Sequence, residues 1–261
     1  ICVVGGGLTG AIMVLLLKKS NLFKPNEIGW IKPKTSAYKD IRTTFYNKKS
    51  LQLLESLGLL KNLKNSDYTF INKIQVFGIN YSSPLEWEYS NSNSKLNFGS
   101  VIKNDIILSA LTEQLNDISQ YESLVTNTQY DDFERTLYLE DKTRLKAHLV
   151  LAADGKRSHL RKILSIKTLQ KKVSHIALSG FLQQSKNHNN TAIQAFTDLG
   201  PIGLLPFENK RIINFVQSIE ESKYKQILSK TKPEKYLCAH LNDFFSHIDL
   251  KFEPLNKMNK K

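Results

Sequence analysis

The segment Ile1-Cys2-Val3-Val4-Gly5-Gly6-Gly7-Leu8-Thr9-Gly10 decides the fold of this chain. Ile1–Val4 is a short apolar, β-branched run, which is typical of a buried parallel strand. Three glycines follow with the spacing G-x-G-x-x-G, and Leu8–Lys19 has the apolar body of a helix buried against a sheet. Glu27–Ile31 fits a second strand, so strand, glycine loop, helix and strand occupy about 30 residues, the size of a βαβ unit.

This order of elements gives the glycine spacing a physical meaning. Gly5 allows a tight turn, Gly7 lets the backbone approach a pyrophosphate, and Gly10 lets helix and strand pack closely. Leu8 and Thr9, at the start of the helix, offer free N–H groups and the positive end of the helix dipole to phosphates. The loop therefore predicts a site for the ADP part of a dinucleotide. The alternative is a glycine-rich turn without a ligand.

One expected part of such a site is missing. An acidic residue at the end of the second strand normally hydrogen-bonds the hydroxyls of the adenosine ribose. Here that strand ends Trp30-Ile31-Lys32-Pro33, so Lys32 lies where the acid is expected. Glu27 is at the start of the strand and is predicted to be out of reach. Either another group holds the ribose, or the affinity for a dinucleotide is reduced.

The bulk composition limits the classes of protein to consider. The 261 residues suffice for one large domain or two interleaved ones. No apolar run reaches the roughly 18 residues of a membrane-spanning helix, and no signal-peptide pattern is present. Cys2 and Cys238 are the only cysteines, which indicates neither a disulfide framework nor a metal cluster, and the histidines show no metal-ligand spacing. A reducing, cytoplasmic compartment is expected.

The chain is strongly basic, with 37 basic and 24 acidic residues and a net charge of +13. One interpretation is a surface for nucleic acid or for an anionic membrane. However, the lysines are scattered along the whole chain, and the dense basic run is confined to Lys257–Lys261. We therefore expect solvated charge and no nucleic-acid partner, with weak attraction to a membrane surface as the alternative.

The sequence pattern changes from mixed α/β to mostly β near Val173, which predicts two domains. Before this point the predicted elements are the helices Ser50–Leu60 and Asp105–Leu115, the strands Ile74–Tyr81 and Leu85–Tyr89, a hairpin at 137–148, and the strand Leu149–Ala153. After it they are the antiparallel strands Ile176–Gln183, Ala192–Thr197, Ile202–Pro206 and Arg211–Ser218, and a helix, Lys232–Ser246, with the aromatic anchors Tyr236, Phe244 and Phe245. The predicted domains are 1–70 with 98–170, and 71–97 with 171–255, followed by a basic tail, 256–261.

A second motif, LVLAADGKRSHLR, occupies Leu149–Arg161. Its apolar strand delivers Asp154 and Gly155 at the carboxyl end, where α/β folds place ligands. Arg157 and Arg161 follow on a predicted helix, and basic side chains there are suited to organising a pyrophosphate. The alternative is a plain strand-to-helix turn with an aspartate cap.

Taken together, these motifs resemble the para-hydroxybenzoate-hydroxylase-like FAD-dependent aromatic monooxygenases, and within that class the hydroxylases of ubiquinone biosynthesis. Four stretches carry the resemblance in the family's order: the glycine loop, Asp40-Ile41-Arg42-Thr43-Thr44 with the leucine-rich SLQLLESLGLL, the Asp154-Gly155 motif, and the stretch Phe196–Pro206 with its Gly-Pro and Leu-Leu-Pro. Each stretch alone is weakly specific, whereas the ordered set is fairly specific.

The resemblance implies an α/β fold, with a Rossmann-like FAD-binding domain and an interleaved antiparallel β-sheet substrate domain. It implies FAD as cofactor, NAD(P)H as electron donor, and hydroxylation of a polyprenylated phenol by O₂. Arg42 and Asn104 would contact FAD together with the glycine loop and Asp154, Gly155, Arg157 and Arg161. It also implies peripheral association with the inner membrane face or with a ubiquinone-biosynthesis complex. No catalytic side chain is identified, since the cofactor carries the reaction.

Two departures from the family pattern keep alternatives open. Lys103-Asn104-Asp105 stands where family members often carry Glu-Asn-Arg, and no Gly-Asp segment followed by His-Pro occurs, so an active enzyme would be part of a longer chain. The start at Ile1 rather than Met fits that expectation. One alternative is a non-catalytic or truncated remnant, or an accessory scaffold, of the same fold. The other is a different FAD oxidoreductase of the superfamily, such as a halogenase or prenyl reductase.

Overall fold

The computed structural model describes residues 1–34, 42–79, 83–89, 97–169, 171, 173–255 and 259–260. Asp40 and Ile41, the end of the strand predicted over Ile74–Tyr81, and most of the tail 256–261 lie outside the described residues.

The strands, in chain order, are β1 (Cys2–Val4), β2 (Gly29–Lys32), β3 (Thr43–Asn47), β4 (Tyr68–Ile71), β5 (Lys73–Phe77), β6 (Leu85–Glu88), β7 (Gly99–Lys103), β8 (Ser119–Glu122), β9 (Val125–Tyr130), β10 (Arg135–Leu139), β11 (Arg144–Ala147), β12 (Val150–Ala152), β13 (His175–Gln184), β14 (Thr191–Thr197), β15 (Gly200–Phe207), β16 (Ile212–Glu220), β17 (Phe252–Pro254) and β18 (Asn259–Lys260). The helices are α1 (Leu8–Lys19), α2 (Lys48–Ser56), α3 (Asn104–Gln114), α4 (His159–Ile163), α5 (Glu221–Leu228) and α6 (Pro233–Phe244).

The chain divides into two compact units. The first comprises Ile1–Ile41, Leu54–Lys61 and Asn104–Gln170, and the second comprises Arg42–Leu53, Asn62–Lys103 and Lys171–Lys261. The predicted domains grouped the segments 42–53, 62–70 and 98–103 with the glycine loop, whereas these segments belong to the second unit. The reason is that β3, β7 and β4 form an antiparallel sheet, in that order, whose strands β4 and β7 contact β15.

The first unit contains a parallel sheet in the order β12-β1-β2-β8. Helix α1 joins β1 to β2, which completes the predicted βαβ unit, and it buries Gly10, Ala11, Val14 and Leu15. Strand β2 begins two residues later than predicted because the preceding Pro25–Glu27 forms a 3₁₀ turn. All four strands of a parallel sheet end at one edge, so that edge is where the residues that follow them can meet.

A small antiparallel sheet, β11-β10-β9, belongs to the same unit. The buried side chains Leu137, Leu139 and Val125 of this sheet share a core with Cys2 and Ile31 of the parallel sheet. This sheet contains the predicted hairpin at 137–148, whose strands β10 and β11 pair directly. Burial raises the pKa of the Cys2 thiol to about 11, so that thiol stays protonated at neutral pH.

The second unit is built on a large sheet in the order β17-β13-β16-β15-β14-β5-β6, with β18 also pairing with β13. Neighbouring strands are antiparallel except for β5 and β14, which are parallel. The four antiparallel strands predicted after Val173 are β13 to β16, each one to three residues longer than predicted. The interleaved β-sheet part of the predicted fold is therefore present, with one parallel pair that the sequence pattern did not indicate.

Alternate residues of the large sheet enter two different cores, as the period of two requires. On one face, Leu204 and Phe215 pack with buried residues of α5 and α6 and with Phe245. On the other face, Leu205 and Phe207 pack with residues of β4 and β7, the buried Ile71 and Val101.

Near the end of the chain, one of the predicted aromatic anchors is wrong and one helix was not predicted. The predicted anchor Tyr236 is 42% exposed, whereas Phe245, just after α6, is fully buried. Helix α5 was missed because it has only eight residues and its first three, Glu221-Ser222-Lys223, are all polar or charged and resemble a loop. None of the helices in the described residues has the length and apolarity that a membrane crossing requires.

His188 fixes the polar loop between β13 and β14, and it predicts a pH dependence of stability. Its Nδ1 accepts a hydrogen bond from the backbone N–H of Asn190, and its Nε2 lies 3.0 Å from the carbonyl oxygen of Asn209. A neutral ring with its proton on Nε2 satisfies both contacts. Burial lowers the pKa of His188 below its ordinary value, because the charged form would lose solvation.

Since the folded-state pKa of His188 is below the unfolded value, stability is highest above about pH 6.5 and falls as the pH drops toward the folded-state pKa. We expect the urea-unfolding free energy to decrease between pH 7.5 and pH 5. In His188→Gln this decrease should be smaller, while His175→Gln, at an exposed position, should retain it. An equal slope in wild type and His188→Gln would contradict the assignment.

Candidate functional site

Gly5 is the residue at which the glycine loop meets the strands of the parallel sheet. Its N–H donates to the carbonyl oxygen of Ile31 at 2.8 Å, and its own carbonyl oxygen accepts the indole N–H of Trp30 at 2.9 Å. Its φ is +137°, and an added Cβ would lie 2.1 Å from the carbonyl oxygen of Ala153. The first glycine of the motif is thus required both by its backbone conformation and by the close approach of the end of β12.

Gly10 and Gly7 serve different purposes in the same loop. A Cβ on Gly10 would lie 2.0 Å from the carbonyl oxygen of Gly5, so Gly10 permits the close packing of α1 on the loop. A Cβ on Gly7 would have no atom within 4 Å. Gly7 is also the N-cap of α1 and supplies no capping side chain, which leaves the first N–H groups, at Leu8 and Thr9, for another acceptor.

The second motif lies directly against the glycine loop. Asp154 follows β12, and its Oδ2 accepts the backbone N–H of Leu160 at 3.1 Å, while Ser158 caps the N–H of Arg161. Asp154 thus binds the first turn of α4, close to the alternative interpretation, although the N-cap itself is Ser158. Asp154 also lines the same cleft as the glycine loop, together with Gly155, whose φ is +81° and whose added Cβ would meet nothing within 4 Å.

The cleft at this edge of the parallel sheet has a volume of about 280 Å³. Its walls come from the ends of all four strands and from the start of α4, and the lining residues are Val4, Gly5, Gly6, Gly7, Ile31, Lys32, Pro33, Ser123, Leu124, Val125, Ala153, Asp154, Gly155 and His159. The sequence predictions missed the segment 123–125. Strand β8, which precedes it, has the sequence Ser-Gln-Tyr-Glu and carries no apolar pattern. Once β8 is known, the segment is expected in the cleft because ligand sites lie at the carboxyl ends of parallel strands.

The end of β2 carries a lysine, as the sequence indicated, and its side chain is held in place. Lys32 is the last residue of β2, with a side chain only 13% exposed. Its Nζ lies 4.8 Å from the centroid of the Trp30 ring and 3.6 Å from Oε1 of Glu122. Glu27 lies in the turn before β2, at the opposite end of the strand from the glycine loop.

The remaining predicted residues are placed as follows. Arg157 is exposed in the turn before α4, and Arg161 donates from Nη2 to the carbonyl oxygen of Lys156 at 2.6 Å. Asn104 is buried as the first residue of α3 in the first unit. Arg42 is exposed and belongs to the second unit, just before β3. The structure therefore brings Gly5, Gly7, Asp154 and Gly155 to one cleft, and the cofactor contacts of all the predicted residues stay predictions.

These residues fit the diphosphate of a dinucleotide. The space over Gly7 and Gly155 is open, and a side chain at either position would enter it. No side chain caps the first N–H groups of α1, so they are available to an acceptor at the positive end of a 12-residue helix. Backbone donors beside two glycines are the usual cradle for a pyrophosphate, and this edge provides them.

Comparison with known proteins gives the same answer as the geometry. Residues 1–237 match the family model described as FAD binding domain. The mitochondrial ubiquinone biosynthesis monooxygenase COQ6 of Homo sapiens is 24% identical over 271 residues, which cover 95% of this chain and 57% of that protein. An uncharacterized protein of Synechocystis is 28% identical over 220 residues, which cover 81% of this chain and 52% of that protein. The chain thus spans about half the length of the curated relatives it matches.

Solved structures show the same fold. The crystal structure of Pseudomonas aeruginosa PqsL in complex with 2-aminobenzoylacetate has a TM-score of 0.77 at 15% identity, over 98% of this chain and 73% of that one. An identity this low carries the fold and not the activity. The predicted fold class, a Rossmann-like domain with an interleaved β-sheet domain, is confirmed.

Proposed function

The chain belongs to the family of FAD binding domains, and from this membership we propose that it is part of a flavin-dependent monooxygenase acting on a polyprenylated phenol in ubiquinone biosynthesis. The observation that carries the proposal is the junction of the two motifs at Gly5. There the glycine loop and the Asp154-Gly155 turn line one cleft with open space over Gly7. The name of the human relative, a ubiquinone biosynthesis monooxygenase, supports the finer assignment of the substrate.

In this proposal the protein binds and orients, while FAD supplies the redox chemistry. When bound, FAD would supply the acceptance of a hydride from reduced nicotinamide and the activation of O₂ for transfer to an aromatic ring. The glycine loop and the N-terminus of α1 hold the diphosphate, and Asp154 fixes the turn that carries Gly155. Reduced nicotinamide as electron donor, and association with a membrane or with other ubiquinone-biosynthesis proteins, belong to the proposal by resemblance.

One face of the large sheet in the second unit is an argument for a hydrophobic substrate. Gly203 pairs with Gln194 on one side and with Val216 on the other, so these three residues form one row across β14, β15 and β16. Phe196, two residues after Gln194, lies on the same face and is 47% exposed, and Val216 is 37% exposed. The exposed side chains of Phe196 and Val216 make this face partly apolar, with the polar Gln194 in the same row, and we propose it as the substrate wall for a ring carrying an apolar chain.

The proposal is tested in two steps with the purified chain. Titration with FAD should quench flavin fluorescence and leave a yellow protein after gel filtration. With FAD, NADPH or NADH, O₂ and a prenylated phenol, mass spectrometry should then find a product heavier by one oxygen. A chain that takes up no FAD would favour the scaffold alternative. FAD uptake and nicotinamide oxidation without a hydroxylated product would favour a different FAD oxidoreductase.

A further inference from the structure

The acid that is missing from the end of β2 has a neighbour that can replace it. Strands β2 and β8 are parallel and adjacent, and Lys32 pairs in register with Glu122. Both residues are the last of their strands, so both lie at the edge that carries the cleft, where Lys32 and Ser123, the residue after Glu122, line the wall. From this placement we propose that Glu122 is the carboxylate that accepts hydrogen bonds from the adenosine ribose hydroxyls, and that Lys32 positions it. The inference rests on the proposed binding of the ADP part of FAD in the cleft.

Lys32 is held so that its ammonium group faces Glu122. The aliphatic stem packs against the glycine loop, since a Cβ on Gly6 would lie 3.0 Å from Cβ of Lys32. The ammonium lies over the ring of Trp30, and that ring is itself fixed by the hydrogen bond from its indole N–H to Gly5. Lys32 therefore occupies the usual position of the acid with a side chain that is nearly buried, and it directs its charge to the neighbouring strand.

Glu122 has the exposure and the chemistry that the ribose requires. Its side chain is 53% exposed, so the carboxylate is open to a ligand while Oε1 lies 3.6 Å from Nζ of Lys32. An ionised carboxylate only accepts hydrogen bonds, and two vicinal hydroxyls can each donate to it. Hydrogen bonds to a charged acceptor are roughly twice as strong as those between neutral groups.

The other carboxylates near this edge are less suitable. Asp154 follows β12, which lies on the far side of β1 from β2, and its Oδ2 already accepts the N–H of Leu160. Glu27 precedes β2 at the opposite end of the strand and binds the N–H of Lys24. In the described residues of the cleft edge, Glu122 is the acid adjacent to the end of β2.

The Lys32–Glu122 pair also predicts which form of the adenosine ribose the site binds. A basic group alone at this position suits a ribose that carries a 2′-phosphate. Here the carboxylate of Glu122 neutralises the ammonium and would repel a phosphate dianion. The pair therefore selects an adenosine ribose with free hydroxyls, as in FAD and ADP.

The test measures recognition of the ribose by binding alone. Isothermal titration calorimetry with ADP and 2′-deoxy-ADP should show that the wild type binds ADP about tenfold more tightly, which is the usual worth of a hydrogen bond to a charged group. Glu122→Gln should lose most of this preference and should bind FAD more weakly. The matched control is Glu113→Gln, an exposed glutamate of α3 that does not follow a strand of the parallel sheet, which should behave as the wild type.

A second variant separates positioning from folding. In Glu122→Gln combined with Lys32→Glu, the acid returns to the end of β2, and the preference for ADP over 2′-deoxy-ADP should be restored. A merely structural ion pair would leave that preference unchanged in every variant.

Three results would overturn the assignment. The first is an unchanged preference in Glu122→Gln, which would leave the proposed function standing if the wild type binds FAD. The second is tighter binding of adenosine 2′,5′-bisphosphate than of ADP, which would make Lys32 a phosphate-binding residue. The third is the absence of binding of both ADP and FAD to the wild type, which would remove the proposed function as well.

Discussion

Gly7→Ala is expected to weaken FAD binding by about tenfold or more while leaving the melting temperature unchanged, because its methyl group would fill the space that the diphosphate needs. The backbone of Gly7 has φ −82°, which any residue adopts, and an added Cβ meets no protein atom within 4 Å. The substitution should therefore leave the stability of the folded chain unchanged. It should weaken only the binding of a ligand that approaches the loop closely.

Flavin fluorescence titration and thermal unfolding, each on the wild type and on Gly7→Ala, measure the two effects separately. Gly58→Ala provides a control with the opposite pattern. Gly58 lies outside the cleft with φ +72°, so alanine there should cost about 1 kcal/mol of stability through backbone strain and leave binding unchanged. If Gly7→Ala bound FAD as tightly as the wild type, the diphosphate would not lie over this glycine.

The sequence indicated those parts of the fold that depend on local pattern. The glycine spacing, the apolar run of α1 and the strand before Asp154 each carry a signal within a dozen residues, and all are present. Strand β8 carries no such signal, because its Ser-Gln-Tyr-Glu sequence is polar and its place is set by pairing with β2. An edge strand that takes its structure from a neighbour is hard to find by periodicity.

The site shows the same division between local and long-range information. Gly5, Gly7 and Gly155 could be predicted because each belongs to a short local motif, G-x-G-x-x-G or Asp-Gly, at the end of an apolar strand. The proximity of Glu122 to Lys32 could not be predicted from the sequence, because the two residues are ninety positions apart and no local pattern relates them. The strand order β12-β1-β2-β8 places the two residues side by side. The lysine at the end of β2 was therefore predicted correctly, whereas the role proposed for Glu122 depends on the strand order.

Gly5→Ala should have the largest effect on stability, a loss of at least about 3 kcal/mol, because backbone strain and overpacking add at one position. The residue has φ +137°, a conformation that alanine rarely adopts, and the new methyl carbon would lie 2.1 Å from the carbonyl oxygen of Ala153. The obstructing atom is backbone, fixed by the N–H of Ala153 donating to Val4 at 2.8 Å, so it cannot rotate away as a side chain could.

Urea unfolding monitored by tryptophan fluorescence reports this loss directly, since Trp30 is buried and its indole N–H donates to Gly5. Gly7→Ala, two residues away, is the matched control and should unfold as the wild type does. Equal stability of Gly5→Ala and wild type would mean that the loop does not approach the end of β12. Both variants are expected to lower FAD binding. The stability measurement therefore has to be combined with the binding measurement to assign Gly5 to the joining of the two motifs and Gly7 to contact with the ligand.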